Sequence, residues 1–350
     1  MTPTERILAI KAKLGRDLVI LAHHYQEDAV VQHADQTGDS LELARAIPGT
    51  AAKYVVFCGV AFMAESAALL APAGVQVFNP VPEAACVMAE MSPATYVEAV
   101  LQRLQHPESP VIPLAYVNTS VATKAVVGRF GGAVCTSANA ATMLQWALAQ
   151  ADKAGQQGRV LFLPDQHLGH NTANKLGIPA EKRLRLDIRG RGERIDAQAA
   201  LQARLLLWPG NCPVHAVRFK LSQIQQVRDQ YPEAKIAVHP ECAQEVVNAV
   251  DGAGSTSFLI KYAAEAPAGS RVYIGTECNL VDRLTRRHAA EKTILPLWRS
   301  GCSNMNKTTE ARLADALEAM LEGRTAATTV DEADTAPARA SLTRMLEACS

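Results

Sequence analysis

The feature that most constrains the fold is a series of short, apolar, β-branched runs that end in polar residues and alternate with Ala/Leu-rich stretches. A first group is DLVILAHHY (17–25), KYVVFCG (53–59) and GVQVFNP (74–80). A second is PVIPLAYVN (110–118), GGAVCTSAN (131–139) and RVLFLPDQ (159–166). A third is AKIAVHPE (234–241), GSTSFLIKY (254–262) and RVYIGTE (271–277), with VHAVRF (214–219) just upstream. Continuous apolar strands alternating with helices predict parallel sheets covered on both faces, an α/β fold. Three strand triplets predict a threefold internal repeat, the alternative being one large α/β domain without internal symmetry. The expected bounds are 1–85 for the first unit, 86–212 for the second and 213–302 for the third.

After the third unit, Thr309 is placed to cap a helix whose Leu313, Leu317, Met320 and Leu321 form an apolar stripe ended by Gly323. This C-terminal helix, within 303–323, is expected to return to the first unit. Residues 324–350 are Ala/Thr-rich with acidic patches and read as a flexible tail, with one short helix possible in SLTRMLEACS. At the other end, Ile7, Ile10, Lys11 and Leu14 recur at helical spacing among charges, as in an amphipathic surface helix rather than a signal peptide.

In open parallel sheets, ligands bind at the carboxyl ends of strands near helix N-termini, so the strand ends carry the information. The first strand of each group ends in His23-His24-Tyr25, Tyr116-Val117-Asn118 and His239-Pro240-Glu241. Ser137 ends the second run of the middle group, and Ser255 and Thr256 occupy the related segment of the third. GDSLELA adds Asp39 and Ser40 at a helix start. A Ser or Asp before a helix is usually an N-cap, and a strand-end His or Tyr is usually structural. Similar groups in all three units are harder to explain that way.

Composition narrows the function. The 350 residues carry 35 basic and 35 acidic side chains, which removes the electrostatic argument for nucleic acid. No apolar run reaches the length of a bilayer span, so neither a membrane nor a nucleic-acid partner is expected and the expected compartment is the cytoplasm. The eight cysteines there suggest burial, catalysis or metal rather than disulfides, and no two lie within four residues of each other. Cys58 and Cys135 sit inside apolar strands; Cys242 and Cys278 follow strand-end motifs without counterparts; Cys349 is in the tail. Cys86, Cys212 (in WPGNCPVH) and Cys302 each follow the third strand of their unit. On a threefold axis, three thiolates leave one metal position open, which suits an iron–sulfur cluster with a Lewis-acidic iron, or zinc with a bound water.

The motifs LAHHYQ, GDSLELA, VFCGVAFMAES, YVNTSVATKA, CTSANA, FLPDQHLG, CPVH, HPE and GSTS together resemble those of the quinolinate synthase family, from about residue 18 to about residue 322. The resemblance implies condensation of iminoaspartate (iminosuccinate) with dihydroxyacetone phosphate to quinolinate, phosphate and two waters, in NAD biosynthesis. It implies an α/β fold of three similar three-layer αβα domains with short parallel sheets around a pseudo-threefold axis, the active site at the centre, and a [4Fe–4S] cluster on Cys86, Cys212 and Cys302. Ser303 stands where some members carry proline, with Cys278 as the alternative third ligand. The implied substrate-binding residues are His23, Ser40, Tyr116, Asn118, Ser137, His239, Glu241 and Thr256, with Asp39 and Ser255 beside them. Glu241 is the expected acid–base group, with Tyr25 and His215 as relays. An aspartate-oxidising enzyme is the expected functional link. A different cluster-bearing hydro-lyase, a zinc-dependent aldolase-type enzyme and a non-enzymatic sensor are the alternatives.

Overall fold

Thirteen strands organise the chain into three parallel sheets with helices around them, in a computed structural model that describes residues 1–155 and 157–349. The first sheet contains β1 (Leu18–His23), β2 (Gln36–Gly38), β3 (Tyr54–Cys58) and β4 (Gln76–Phe78), in the order β2-β1-β3-β4. The second contains β5 (Val111–Tyr116), β6 (Ala133–Cys135), β7 (Arg159–Leu163), β8 (Arg183–Arg185) and β9 (Leu205–Leu207), in the order β6-β5-β7-β9-β8. The third contains β10 (Lys235–Val238), β11 (Gly252–Ala253), β12 (Arg271–Gly275) and β13 (Thr293–Pro296), in the order β11-β10-β12-β13. One strand order thus occurs three times, and the middle sheet adds only β8 at its edge. The α/β class with three similar sheets agrees with the sequence. By compactness the chain divides into two units: Met1–Cys86, Gln225–Ala237 and Thr256–Asp331 form the first; Val87–Ile224, Val238–Ser255 and Glu332–Ser350 form the second.

In the first unit, Thr2 and Glu5 form a reciprocal capping box that starts the helix Pro3–Leu14, with Pro3 pre-set for its first turn. Ile7 and Ile10 turn inward onto Ile20 and Val56 of the sheet, together with Leu313 and Leu317. Those two leucines belong to the helix Glu310–Leu321, capped by the Thr309 hydroxyl, which accepts the Arg312 N–H. Burying each contributes roughly 1.5–3 kcal/mol. Arg6 also bonds Asp315 and Glu318 across these helices, but at the surface, where such pairs add little.

In the second unit every residue of β7 is buried, as a sheet covered on both faces requires. The Arg159 guanidinium is buried too, and the carbonyls of Leu104, Ser109 and Ala200 accept its donors. Trp208 is fully buried and gives its indole N–H to the Met91 carbonyl at 2.7 Å.

Four readings need correction. The apolar run within 254–262 is the helix Thr256–Glu265, not a strand: Leu259 and Ala263, four apart, are buried while Phe258 is exposed. VHAVRF is mostly a π-helical turn, Pro213–Val217. The supposed flexible tail contains the helix Glu332–Ala348, whose Ala338, Leu342 and Met345 are fully buried. It lies so close to the helix Val121–Arg129 that a Cβ on Gly128 would meet the Pro337 carbonyl at 1.9 Å. Finally, Cys212 follows β9 and Cys302 follows β13, fourth strands of the repeat that the sequence triplets omitted. No helix among the described residues is long and apolar enough to cross a membrane.

Candidate active site

In the first unit the chain turns sharply after β1. The Tyr25 N–H donates to His23 Nδ1 at 3.1 Å, and the two rings meet edge-on with centroids 4.6 Å apart. Tyr25 is buried, and its phenol joins two hydroxyls: it shares a 2.7 Å hydrogen bond with Thr276 and accepts one from Thr256 at 3.1 Å. Thr276 directly follows β12, and Thr256 opens its helix. Asp39 divides its carboxylate in the same way. Oδ1 caps the helix Ser40–Ala46 by accepting from Leu41 and Glu42, while Oδ2 accepts the Ser257 hydroxyl at 2.7 Å. Ser40 is half-buried at the first position of that helix. Thr276 and Ser257 were not singled out in the sequence, although Thr276 sits at a strand end, where the same rule would have found it.

The second unit holds the charged cluster. Glu241, three residues beyond the end of β10, is buried and takes a 2.6 Å hydrogen bond from His215 Nδ1. His239 stacks on His215 with ring centroids 4.3 Å apart, and its Nδ1 lies 3.9 Å from the same carboxylate oxygen. Burial alone would raise the Glu241 carboxyl. The imidazoles of His239 and His215, and hydrogen bonds from His215 and Tyr116, outweigh it and hold the group below the usual carboxylate range. Burial lowers His239 to about 3, His215 acts in the same direction and Glu241 opposes both, so this ring is neutral near pH 7. Asp165, two residues past β7 and not singled out in the sequence, is driven the other way: burial, then the Glu241 charge, push its carboxyl well above the usual range. Tyr116 is buried at the end of β5. Asn118 follows, its Oδ1 buried without a hydrogen-bond partner among the described residues. An acceptor left so costs about 1–3 kcal/mol unless a ligand or water meets it. Ser137 is half-buried just after β6, and Ser255 is buried just after β11.

The shared strand order makes these positions equivalent. His23/Tyr25, Tyr116/Asn118 and His239/Glu241 all lie at or just beyond the first strand of a sheet. Ser40, Ser137 and Ser255 with Thr256 all lie after the strand beside it.

The cysteines separate by environment, and none of the eight is in a disulfide. Burial pushes the Cys58 thiol up to about 12 and likewise raises Cys135 and Cys242 well above the usual thiol range, so these three stay protonated inside the protein. Cys86, Cys212 and Cys302 are only partly buried and lie on loops after β4, β9 and β13, the same strand of each sheet. Each loop is held by one repeated bond. The first residue of the helix after the preceding sheet strand donates its N–H to the carbonyl two residues before the cysteine: Ala61 to Ala84 at 2.9 Å, Gln166 to Gly210 at 2.9 Å and Cys278 to Ser300 at 2.7 Å. Cys278 therefore occupies the helix position that Ala61 and Gln166 hold elsewhere, and not the position of the loop cysteines. In the second unit, ligand atoms of Cys212, His215 and Glu241 also lie within 4.8 Å of one another. The 2.6 Å hydrogen bond between the last two would have to break for both to hold an ion.

Comparison with known proteins shows the family. Residues 5–347 match the family described as quinolinate synthetase A protein. The chain is 44% identical to the quinolinate synthase of Acidobacterium capsulatum over 326 residues, 91% of this chain and 86% of that one. It is 44% identical to that of Herpetosiphon aurantiacus over 351 residues, 98% of this chain and 92% of the other. Identity to the Streptomyces coelicolor quinolinate synthase is 43% over 349 residues, 97% and 87% of the two chains. With its repeated strand ends, its three equivalent cysteine loops and these near full-length matches, the chain belongs to the quinolinate synthetase A family.

Proposed function

We propose that the chain condenses iminoaspartate (iminosuccinate) with dihydroxyacetone phosphate to give quinolinate, phosphate and two waters, as a transferase/dehydratase-type step of de novo NAD biosynthesis in the cytoplasm. An aspartate-oxidising enzyme is the proposed source of iminoaspartate. The observation that carries the reading is the buried Glu241 carboxylate, held ionised beside a neutral imidazole. Condensation and loss of water require protons to be taken and returned, and a carboxylate coupled to an imidazole can do both.

In this reading Glu241 takes a proton from bound substrate and His215, already donating to it through Nδ1, relays or stabilises the charge. His239, neutral, offers a hydrogen bond without adding charge, and the buried Oδ1 of Asn118 accepts from a substrate N–H. Tyr116 orients Glu241. Tyr25, His23, Asp39, Ser40, Ser137, Ser255 and Thr256 supply polar contacts for the carboxylates and phosphate, the hydroxyls working with helix N-termini, which favour anions. Tyr25 is also proposed as a proton relay, its phenol already shared between Thr276 and Thr256.

We assign a [4Fe–4S] cluster to Cys86, Cys212 and Cys302. The donor set fits: three thiols on equivalent loops, partly open, and distinct from the three buried thiols kept protonated. Cys302 is favoured over Cys278 because only Cys302 shares the loop position of the other two. When bound, such a cluster offers one iron without a protein ligand as a Lewis acid.

The test is quinolinate formation by anaerobically purified protein, together with iron and acid-labile sulfide per chain, in wild type and in single Cys→Ser variants. Cluster loss in the variants of Cys86, Cys212 and Cys302, and its retention in Cys278→Ser, is expected. Zinc in place of iron, abolished by His215→Ala and Glu241→Gln, would instead favour a single-ion site at Cys212, His215 and Glu241, the second reading that their proximity permits.

A further inference from the structure

The three cysteine loops share one backbone bond, but they differ in a second contact. At the N-cap of the helix after β7, Asp165 divides its two oxygens: Oδ1 accepts the Leu168 N–H at 2.8 Å, and Oδ2 accepts the N–H of Cys212 at 3.0 Å. At the same place after β12, Glu277 does likewise. Oε2 accepts the Asn279 N–H at 2.7 Å, and Oε1 lies 3.4 Å from the N–H of Cys302. Both residues are 0% exposed. After β3 the corresponding residue is Val60, whose side chain has no acceptor to offer.

Capping a helix needs one side-chain oxygen, and serine or threonine does it as well as a carboxylate. A two-oxygen group at two of three equivalent positions, each time with the spare oxygen on the cysteine N–H, asks for another role. We propose that Asp165 and Glu277 are positioning residues that fix the backbone of Cys212 and Cys302 for cluster binding. This rests on the assignment of these three cysteines as ligands. With its amide tied to a buried carboxylate, the cysteine backbone cannot swing, and its Sγ samples fewer directions. Ligand release then requires breaking that bond or rotating the side chain alone. Partners outside the ligand set that orient it typically contribute about 10–100-fold to metal affinity.

Serine separates the two roles, because it can cap the helix but is too short to reach the cysteine as well. Wild type, Asp165→Ser, Glu277→Ser and Thr309→Ala are purified anaerobically. Iron and sulfide per chain are measured, then the bleaching of visible absorption under excess iron chelator, alongside thermal unfolding. Thr309→Ala removes a cap that touches no cysteine. The expected result is cluster loss about 10-fold faster in each serine variant, with unfolding temperatures close to wild type and wild-type cluster loss in Thr309→Ala. Serine variants that bleach at the wild-type rate would overturn the anchoring role and leave the ligand assignment intact. Equal acceleration in Thr309→Ala would also overturn it, by showing general loosening. Should one serine variant fail to fold, the other carries the same comparison, since Asp165 and Glu277 hold different cysteines. Wild-type protein without iron and sulfide would overturn the ligand assignment itself, and the anchors with it.

Discussion

The two polar clusters are built from opposite materials. In the first unit, Tyr25, Thr256 and Thr276 exchange hydroxyl hydrogen bonds, and Ser257 donates to Asp39, a carboxylate already committed to a helix cap. In the second, Glu241, His215 and His239 crowd ionisable groups where almost no water reaches them. Hydroxyls hold a ligand at fixed positions and change little with pH. A buried carboxylate beside two imidazoles has protonation states that a reaction can use, and its energy depends on all of them at once. The contrast assigns ligand positioning to the first cluster and proton movement to the second.

The largest expected effect tests that division directly. Glu241→Gln should lower kcat by about 10²–10⁴-fold with iron content unchanged; a wild-type turnover would place the acid–base group elsewhere and break the contrast. Next comes acid. His239 has a folded pKa of about 3, pushed down chiefly by burial, against an unfolded value near ~6.5. Between those values the unfolded chain binds a proton that the folded chain does not. Stability is therefore greatest above the unfolded value and falls as pH drops toward the folded one. Between pH 7 and pH 5 the loss from this ring should be about 2 kcal/mol, read as a lower urea midpoint, and it should shrink in His239→Gln. An equal loss in that variant would remove His239 from the account.

The hydroxyl cluster should respond more gently. Tyr25→Phe leaves two buried threonine hydroxyls without the phenol, at about 1–3 kcal/mol of stability, with the loss the same at pH 7 and pH 5. A loss that grows in acid would mean that charge reaches this cluster too. Ser257→Ala should cost the least, about 1 kcal/mol or below, because Asp39 keeps its two cap bonds; thermal unfolding would show a larger drop if Ser257 did more than support that carboxylate.

Much of this was legible in the sequence. The strand-end pairs from His23/Tyr25 to His239/Glu241 were visible because β1, β5 and β10 are long enough, and β-branched enough, to declare themselves. The helix Glu310–Leu321 was visible through its cap and apolar stripe. Other parts were not. Leu205–Leu207 is three residues long and carries no periodicity, yet it is the strand that leads to Cys212. SFLIKY was read as a strand because a short apolar run has no reliable period, and only burial of Leu259 and Ala263 shows the helix. The helix Glu332–Ala348 has the composition of a linker. Its order comes from Leu342 and Met345 finding cover, and from Gly128, whose missing side chain lets the Pro337 carbonyl approach. Asp165 and Thr276 escaped notice as a lone Asp and a lone Thr.

The sequence by itself determined the class of fold, the family and the residue types at each strand end, because periodicity, capping and motif order are local properties written into neighbouring residues. Only the tertiary structure decided which strand of each sheet the cysteine loops follow, which carboxylates reach the cysteine amides, and that Glu241 stays ionised while Asp165 is driven toward its neutral form. Those outcomes depend on burial and on charges supplied from distant parts of the chain. The energy of a buried charge is set by what surrounds it, and residues far apart in sequence become its surroundings only when the chain has folded.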